Sequence, residues 1–289
     1  MISGVTRVAA VIGDPVRHSL SPVLHNTAYR ELGIDWVYVA FEVPDGATKQ
    51  ALEAMRALGL AGLSVTMPHK TAAAAACDEL SADADALRSV NTITLLEDRR
   101  LRGESTDGPG FLRALGDAWE LRAGARVVVL GAGGAARAVA RALGDAGAHV
   151  VVCARRPDAA RVAADLATHA ETCVWEQRAE AVRAADVVVN ATPIGMGENH
   201  EVPLPLDAIQ HQHVVVDLVY HPLETPLLRG ARARDAAVVV DGLGMLVHQA
   251  ALQVERWTGR VAPVGAMRAA AAAALERVQD AGPKTSMDL

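Results

Sequence analysis

The sequence predicts an α/β protein of two domains, and three observations carry that prediction. Arg126 to Arg137 reads RVVVLGAGGAAR: a short apolar, β-branched run, a glycine turn and an alanine-rich helix start. Strand-like and helix-like stretches alternate on both sides of it, the order that builds mostly parallel sheets. The chain's 289 residues reach the size, about 250–300 residues, at which a single core stops growing.

Composition narrows the function classes. Hydrophobic residues make up 51% and aromatics 3%, so the cores are expected to be Ala, Val and Leu. A net charge of −6 argues against a nucleic-acid partner, and any anionic ligand must be held by local charges. No apolar run reaches the ~18 residues of a membrane span, and the N-terminus lacks signal-peptide regions. Cys77, Cys153 and Cys173 have no C-x-x-C spacing, and the histidines have no i, i+4 pairing. No metal is expected, and the thiols suit a reducing cytoplasm.

Val5 to Ile12 reads as the first strand, followed by GDPVRHSLSPVLHN from Gly13 to Asn26. Ser21 before Pro22 has the form of a helix N-cap with proline behind it. One cap suffices, which leaves Ser19 to meet a polyhydroxylated ligand. Trp36 to Val43 is a strand, Lys49 to Leu58 a helix closed by Gly59, and Leu60 to Met67 a strand ended by Pro68. Lys70 then opens a helix, where a cation opposes the dipole, so a role in a cleft explains it better than stability does. A helix over Asp83 to Val90, a strand over Asn91 to Leu96 and a charged turn over Glu97 to Arg100 follow. Asp107-Gly108 has turn chemistry, and Phe111 starts the helix that crosses to the next domain.

In that domain Gly131, Gly133 and Ala136 give G-x-G-x-x-A between strand and helix, the context a dinucleotide pyrophosphate needs. The next strand, His149 to Cys153, ends in Ala154-Arg155-Arg156-Pro157. An acid for a free ribose 2′-hydroxyl is missing there. Two guanidiniums favour a 2′-phosphate, hence NADP over NAD; a solvated turn is the alternative. A helix over Arg161 to Ala170, strands over Ala185 to Asn190 and Val214 to Leu218, a helix over Pro226 to Arg234 and a strand over Val238 to Asp241 follow. Gly242-Leu243-Gly244 is expected to break the chain before long helices over Met245 to Trp257 and Gly265 to Asp280. A frayed tail runs from Pro283.

Taken together, the motifs resemble the shikimate dehydrogenase family. They are Gly13-x-Pro15-x-x-His18-Ser19-x-Ser21-Pro22, Val65-Thr66-x-Pro68-x-Lys70, Asn91-Thr92, Thr106-Asp107-Gly108 and Gly131-Ala132-Gly133-Gly134-Ala135. Asn190-Ala191-Thr192-Pro193-x-Gly195-Met196, Tyr220, Thr225-Pro226-Leu227-Leu228 and Gly242-Leu243-Gly244-Met245-Leu246-x-x-Gln249 complete the set. The resemblance implies a substrate-binding domain of residues 1–106 plus 242–289 and a Rossmann-type NADP domain of residues 107–241. It implies reversible reduction of 3-dehydroshikimate to shikimate by NADPH, in a monomer or homodimer. Lys70 and Asp107 match the family's catalytic pair. Ser19, Ser21, Thr66, Asn91, Asp107, Tyr220 and Gln249 match its substrate-binding positions. Gly131, Ala132, Gly133, Gly134, Ala135, Arg155, Arg156, Thr192, Leu218 and Gly242 match its cofactor-binding positions. Ser64, Ser105 and Ala154 depart from the asparagines usual at their positions: the two serines imply a substrate hydrogen bond that is shorter or carried by water, and Ala154 leaves the 2′-phosphate site more dependent on the two arginines.

The chemistry agrees with these residue types. Hydride transfer to a ketone creates an alkoxide that needs a proton as it forms, and a lysine oriented by an acid is a suitable donor, with either Lys70 or Asp107 open as the group that moves the proton. Three other readings remain open. A quinate/shikimate dehydrogenase of broader substrate or cofactor use follows from Ser64 and Ser105. A non-catalytic ligand sensor has no need of Lys70 and Asp107 together. A folate-type dehydrogenase explains the glycine loop but not Ser19, Ser21, Thr66 and Gln249.

Overall fold

A computed structural model describes residues 2–280, so the expected tail from Pro283 lies outside the described residues. The first unit runs β1 (Arg7–Gly13), α1 (Ser21–Glu31), β2 (Trp36–Glu42), α2 (Thr48–Leu58) and β3 (Gly62–Val65). It continues with α3 (Lys70–Ala76), β4 (Glu79–Leu80), α4 (Ala82–Leu87), β5 (Thr92–Leu95) and β6 (Leu101–Glu104). The sheet order is β2-β1-β3-β5-β6-β4. β1 pairs in parallel with β2 and β3, as helical crossovers require. The short turn after β5 makes β5 and β6 an antiparallel hairpin, and β5 also runs antiparallel to β3.

Ser21 is not the cap of α1. It is the first helical residue, and Ser19 Oγ accepts its N–H at 3.2 Å. The N-cap position falls on Leu20, which has no side-chain cap, because Pro22 accepts helical geometry one residue further in than the motif suggests.

The second unit is β7 (Arg126–Leu130), α6 (Gly134–Asp145), β8 (His149–Ala154), α7 (Pro157–Ala164) and β9 (Ala170–Val174). It goes on to α8 (Arg178–Arg183), β10 (Val187–Asn190), β11 (Val214–Asp217), α9 (Pro226–Ala233) and β12 (Val238–Val240). All its pairings are parallel, in the order β12-β11-β10-β7-β8-β9. This is the doubly wound order, with its switch between β7 and β10. The valine runs of β7, β8, β10 and β11 are buried without alternation because helices cover both faces. The helix expected over Arg161 to Ala170 ends at Ala164, and Ala170–Val174 is instead an edge strand beside β8.

Two helices join the units. α5 (Asp107–Gly116) begins at Asp107, which is therefore a first-turn residue and not part of a loop turn. α10 (Gly242–Thr258) begins at the glycines that follow the last strand, three residues before the expected Met245, capped by Asp241 Oδ1 accepting from Gly244 N at 3.2 Å. α10 and α11 (Val264–Asp280) cover the first sheet, where Leu243, Val247, Ala250 and Val254 pack against β1 and α1. α5 places Phe111 and Leu115 in the core of the second sheet. α5 and α10 cross so closely that a Cβ on Gly110 would meet Gln249 N at 2.7 Å. Among the described residues no helix is long and apolar enough to cross a membrane.

Candidate active site

The carboxyl ends of β1 and β3 open into a cleft of about 350 Å³ whose far wall comes from the second unit. Ser19, Ser21, Thr66, Lys70, Asn91 and Asp107 line it from the first unit and the junction. Tyr220 and Gln249 face the same space, as do Ala135, Leu218 and Gly242 from the expected cofactor set. Every residue singled out in the sequence as catalytic or substrate-binding therefore meets in one place.

The polar centre is a short chain of fixed groups. Lys70 Nζ donates to Asp107 Oδ2 at 2.6 Å, a charge-assisted bond between side chains only 24% and 14% exposed. Asn91 Nδ2 donates to Asp107 Oδ1 at 2.7 Å. Asn91 Oδ1 accepts from Thr106 N at 2.8 Å and from Thr92 Oγ1 at 2.8 Å, so both ends of its amide are assigned. Asp107 gains from the dipole of α5 and Lys70 does not gain from that of α3. The pair is thus pinned from both sides: Lys70 by its own backbone, whose carbonyl accepts from Val90 N at 3.1 Å, and Asp107 by Asn91.

Gln253 was missed in the sequence. It lies one turn beyond Gln249 on α10, 1% exposed, and borders the cleft floor. Its Nε2 donates to Asn91 O at 3.2 Å and Thr92 Oγ1 at 3.0 Å. That orientation leaves Oε1 to accept from Ser64 Oγ at 2.8 Å and His25 Nε2 at 3.0 Å. Burial pushes the His25 imidazole down to about 3, so it is neutral, and its ring stacks on Tyr38 with centroids 4.0 Å apart. Tyr38 Oη donates to Ser64 Oγ at 2.6 Å, and burial raises its phenol above the ordinary range. Ser64 is therefore a hydroxyl whose proton is committed to Gln253; what it offers the cleft is an acceptor. Only the i, i+4 spacing from Gln249 could have drawn attention to Gln253. Gln249 itself donates to Leu246 O at 2.8 Å, which fixes its amide at the cleft wall. Ser105 does not reach this cleft: it lines a separate hollow with Gly108 and Ala138.

A second cleft of about 470 Å³ runs over the glycine loop. Gly131, Ala132, Gly133, Arg155, Arg156 and Thr192 line it, and Gly134 opens α6 at its edge. Gly131 has φ +112°, and a Cβ there would meet Ala191 O at 2.8 Å, so the chain itself demands glycine. Gly133 and Gly134 are different: a Cβ on either would touch nothing within 4 Å. The open cradle over them, at a helix N-terminus, fits an approaching pyrophosphate. Arg155 and Arg156 are exposed and form no ion pair among the described residues, so both guanidiniums remain available to a 2′-phosphate.

Known proteins share this arrangement. Residues 11–93 match the family described as "Shikimate dehydrogenase substrate binding domain", and residues 242–272 match "Shikimate 5'-dehydrogenase C-terminal domain". Residues 126–221 match "NADP oxidoreductase coenzyme F420-dependent". A shikimate dehydrogenase (NADP(+)) of Methanopyrus kandleri is 44% identical over 277 residues, spanning 92% of this chain and 94% of its own. Shikimate 5-dehydrogenase from Thermus thermophilus, solved with NADP(H) and shikimate, is 39% identical. It superposes with a TM-score of 0.85 over 93% of this chain and 99% of that one. Quinate dehydrogenase from Corynebacterium glutamicum, solved with NAD, is 31% identical and gives a TM-score of 0.86 over 92% of this chain and 98% of its own. With a relative this similar along nearly its whole length, and with both ends of the first unit matched, the chain belongs to the shikimate dehydrogenase family.

Proposed function

We propose that the chain is an NADP-dependent oxidoreductase that interconverts 3-dehydroshikimate and shikimate. The observation that carries the reading is the Lys70–Asp107 pair, 2.6 Å apart, in a cleft that also contains Ala135, Leu218 and Gly242 of the dinucleotide unit. When bound, NADPH supplies the hydride. Lys70 Nζ gives a proton to the oxygen that gains charge as the ketone is reduced. Asp107 orients the ammonium, and Asn91 holds Asp107. Ser19, Ser21, Thr66, Tyr220 and Gln249 hold the ring's carboxylate and hydroxyls, while Arg155 and Arg156 take the 2′-phosphate. In this reading residues 1–106 plus 242–289 bind substrate and residues 107–241 bind cofactor. The enzyme works in the cytoplasm as a monomer or homodimer.

A second reading, a quinate/shikimate dehydrogenase of wider cofactor use, draws on Ser64 and on the likeness to a quinate dehydrogenase. Ser105 gives it no support, since that residue faces away from the cleft. The deciding assay follows NADPH oxidation with 3-dehydroshikimate as sole substrate, beside shikimate and quinate oxidation with NADP or NAD. Turnover of 3-dehydroshikimate with NADPH is expected. Turnover of quinate with NAD at a comparable rate would favour the second reading, and no turnover with any pair would reject both.

A further inference from the structure

The cofactor cleft has one aromatic side chain in its wall, and no motif pointed to it. Trp175 follows directly after β9, on a 3₁₀ turn over Trp175–Gln177, and lines the same space as Arg155, Arg156 and Ala159. β9 is the outermost strand on this side, next to β8, whose end carries the two arginines. Arg178 lies over the Trp175 ring, its Cζ 4.5 Å from the centroid. That guanidinium cannot swing away: its Nη1 donates to Trp175 O and its Nε to Pro203 O, each at 2.7 Å. The indole is half-buried, packed against the core that contains Cys153 and Leu204, and what stays open of it borders the cleft, which Arg178 does not line. The indole is held before any ligand arrives, which lowers the ordering cost of binding.

We propose that Trp175 is the platform on which the adenine of the cofactor stacks. The inference rests on the NADP reading above and deepens it. A nicotinamide must lie near Lys70, at the other end of the glycine loop. The adenosine half then falls beside Arg155 and Arg156, and a base attached to that ribose reaches the ends of β8 and β9, where Trp175 stands. A pyridine nucleotide whose ring sits by Lys70 and that carries no adenine leaves this π-face empty.

The test separates binding from turnover. 2′,5′-ADP, the adenosine half alone, is titrated into the full-length protein and into Trp175→Ala and Trp175→Phe, with calorimetry and tryptophan emission as readouts. Wild-type emission is expected to be quenched, and the quench is expected to vanish in Trp175→Phe, which leaves Trp36, Trp119 and Trp257 in place. Trp175→Ala should bind 2′,5′-ADP roughly five- to a hundredfold more weakly, the range measured for losing a base–aromatic stack. Trp175→Phe should keep most of the affinity, and nicotinamide mononucleotide should bind all three proteins alike. Equal 2′,5′-ADP affinity in wild type and Trp175→Ala, or a quench that survives in Trp175→Phe, would overturn the stacking role and leave the NADP reading intact. Failure of 2′,5′-ADP to bind wild type would overturn both.

Discussion

Lys70 stands where a cation weakens its own helix, and Asp107 where an anion strengthens its own. Their separation of 2.6 Å across two elements is the kind of contact that a function maintains. Lys70→Ala should lower kcat by about 10²–10⁴-fold with KM changed only a few-fold, because the proton is needed mainly in the transition state. Asp107→Asn should lower it too, and the double variant should cost far less than the product of the single effects. Multiplicative losses in steady-state kinetics would mean the two do not act as a unit. Gln253 makes a different prediction, since it touches cleft-lining Ser64 and Asn91 and neither Lys70 nor Asp107. Gln253→Ala leaves a buried imidazole N–H and a carbonyl unpaired, at roughly 2–4 kcal/mol. A lowered urea midpoint and a raised substrate KM with kcat held should follow. An unchanged midpoint would show that water takes over the network.

At the scale of elements, the glycine loop separates two reasons for a missing side chain. Gly131 is demanded by the fold, whereas Gly133 has open space above it. Gly133→Ala should therefore leave the melting temperature close to wild type and weaken NADP binding in calorimetry by at least tenfold. A variant that melts early but binds normally would reverse that assignment. The same scale shows what the sequence made legible. Continuous valine runs and the strand–glycine–helix pattern announced β7, α6, β8, β10 and β11, because burial on both faces leaves no other reading. β9 escaped because Ala170–Val174 is a half-exposed edge strand with polar residues interleaved. Asp107 looked like a turn because Asp-Gly usually is one, whereas α5 begins there, packed through Gly108 against α6 and through Gly110 against α10. Ser19, Ser21, Lys70 and Asn91 were legible as motif residues. Gln253 was not, because a helical glutamine is written the same way whether it faces water or a buried serine.

Across the whole molecule, single buried groups answer acid in opposite ways. In the first, burial holds His25 at about 3 against an ordinary 6.5. Below pH ~6.5 the unfolded chain takes a proton that the folded one refuses, so this unit loses stability as the pH falls towards 3. In the second, burial raises Asp217 from 3.8 to about 6, opposed by hydrogen bonds from Thr225, Val219 N and Asn190. Between pH ~4 and ~6 the folded chain keeps a proton that the unfolded one has lost, so this unit gains stability as the pH falls through that window. At about 1.4 kcal/mol per pH unit, the His25 effect reaches on the order of 5 kcal/mol towards pH 3 and about 2 kcal/mol at pH 5, and the Asp217 effect on the order of 3 kcal/mol across its window. Burial also lowers the His213 imidazole of the second unit, which opposes that gain, so calorimetry from pH 7 to pH 5 should show the first-unit transition moving down and the second-unit transition moving less. A single transition moving as one between those pH values would show that the interface, not the buried groups, governs melting.

The crossing of α5 and α10 has one more consequence. The chain leaves the first unit at Asp107 and returns to it at Gly242, and these departure and return points belong to helices in direct contact. The dinucleotide unit is therefore a cassette with neighbouring ends, inserted into a host that is otherwise closed on itself. Such a piece can be exchanged for another of the same plan without stretching the host. Cofactor preference can thus diverge between relatives while the substrate cleft stays as it is. The residues that cannot travel with the cassette are those at its seam: Asp107, which is hydrogen-bonded to Lys70, and Gln249, which faces the same cleft.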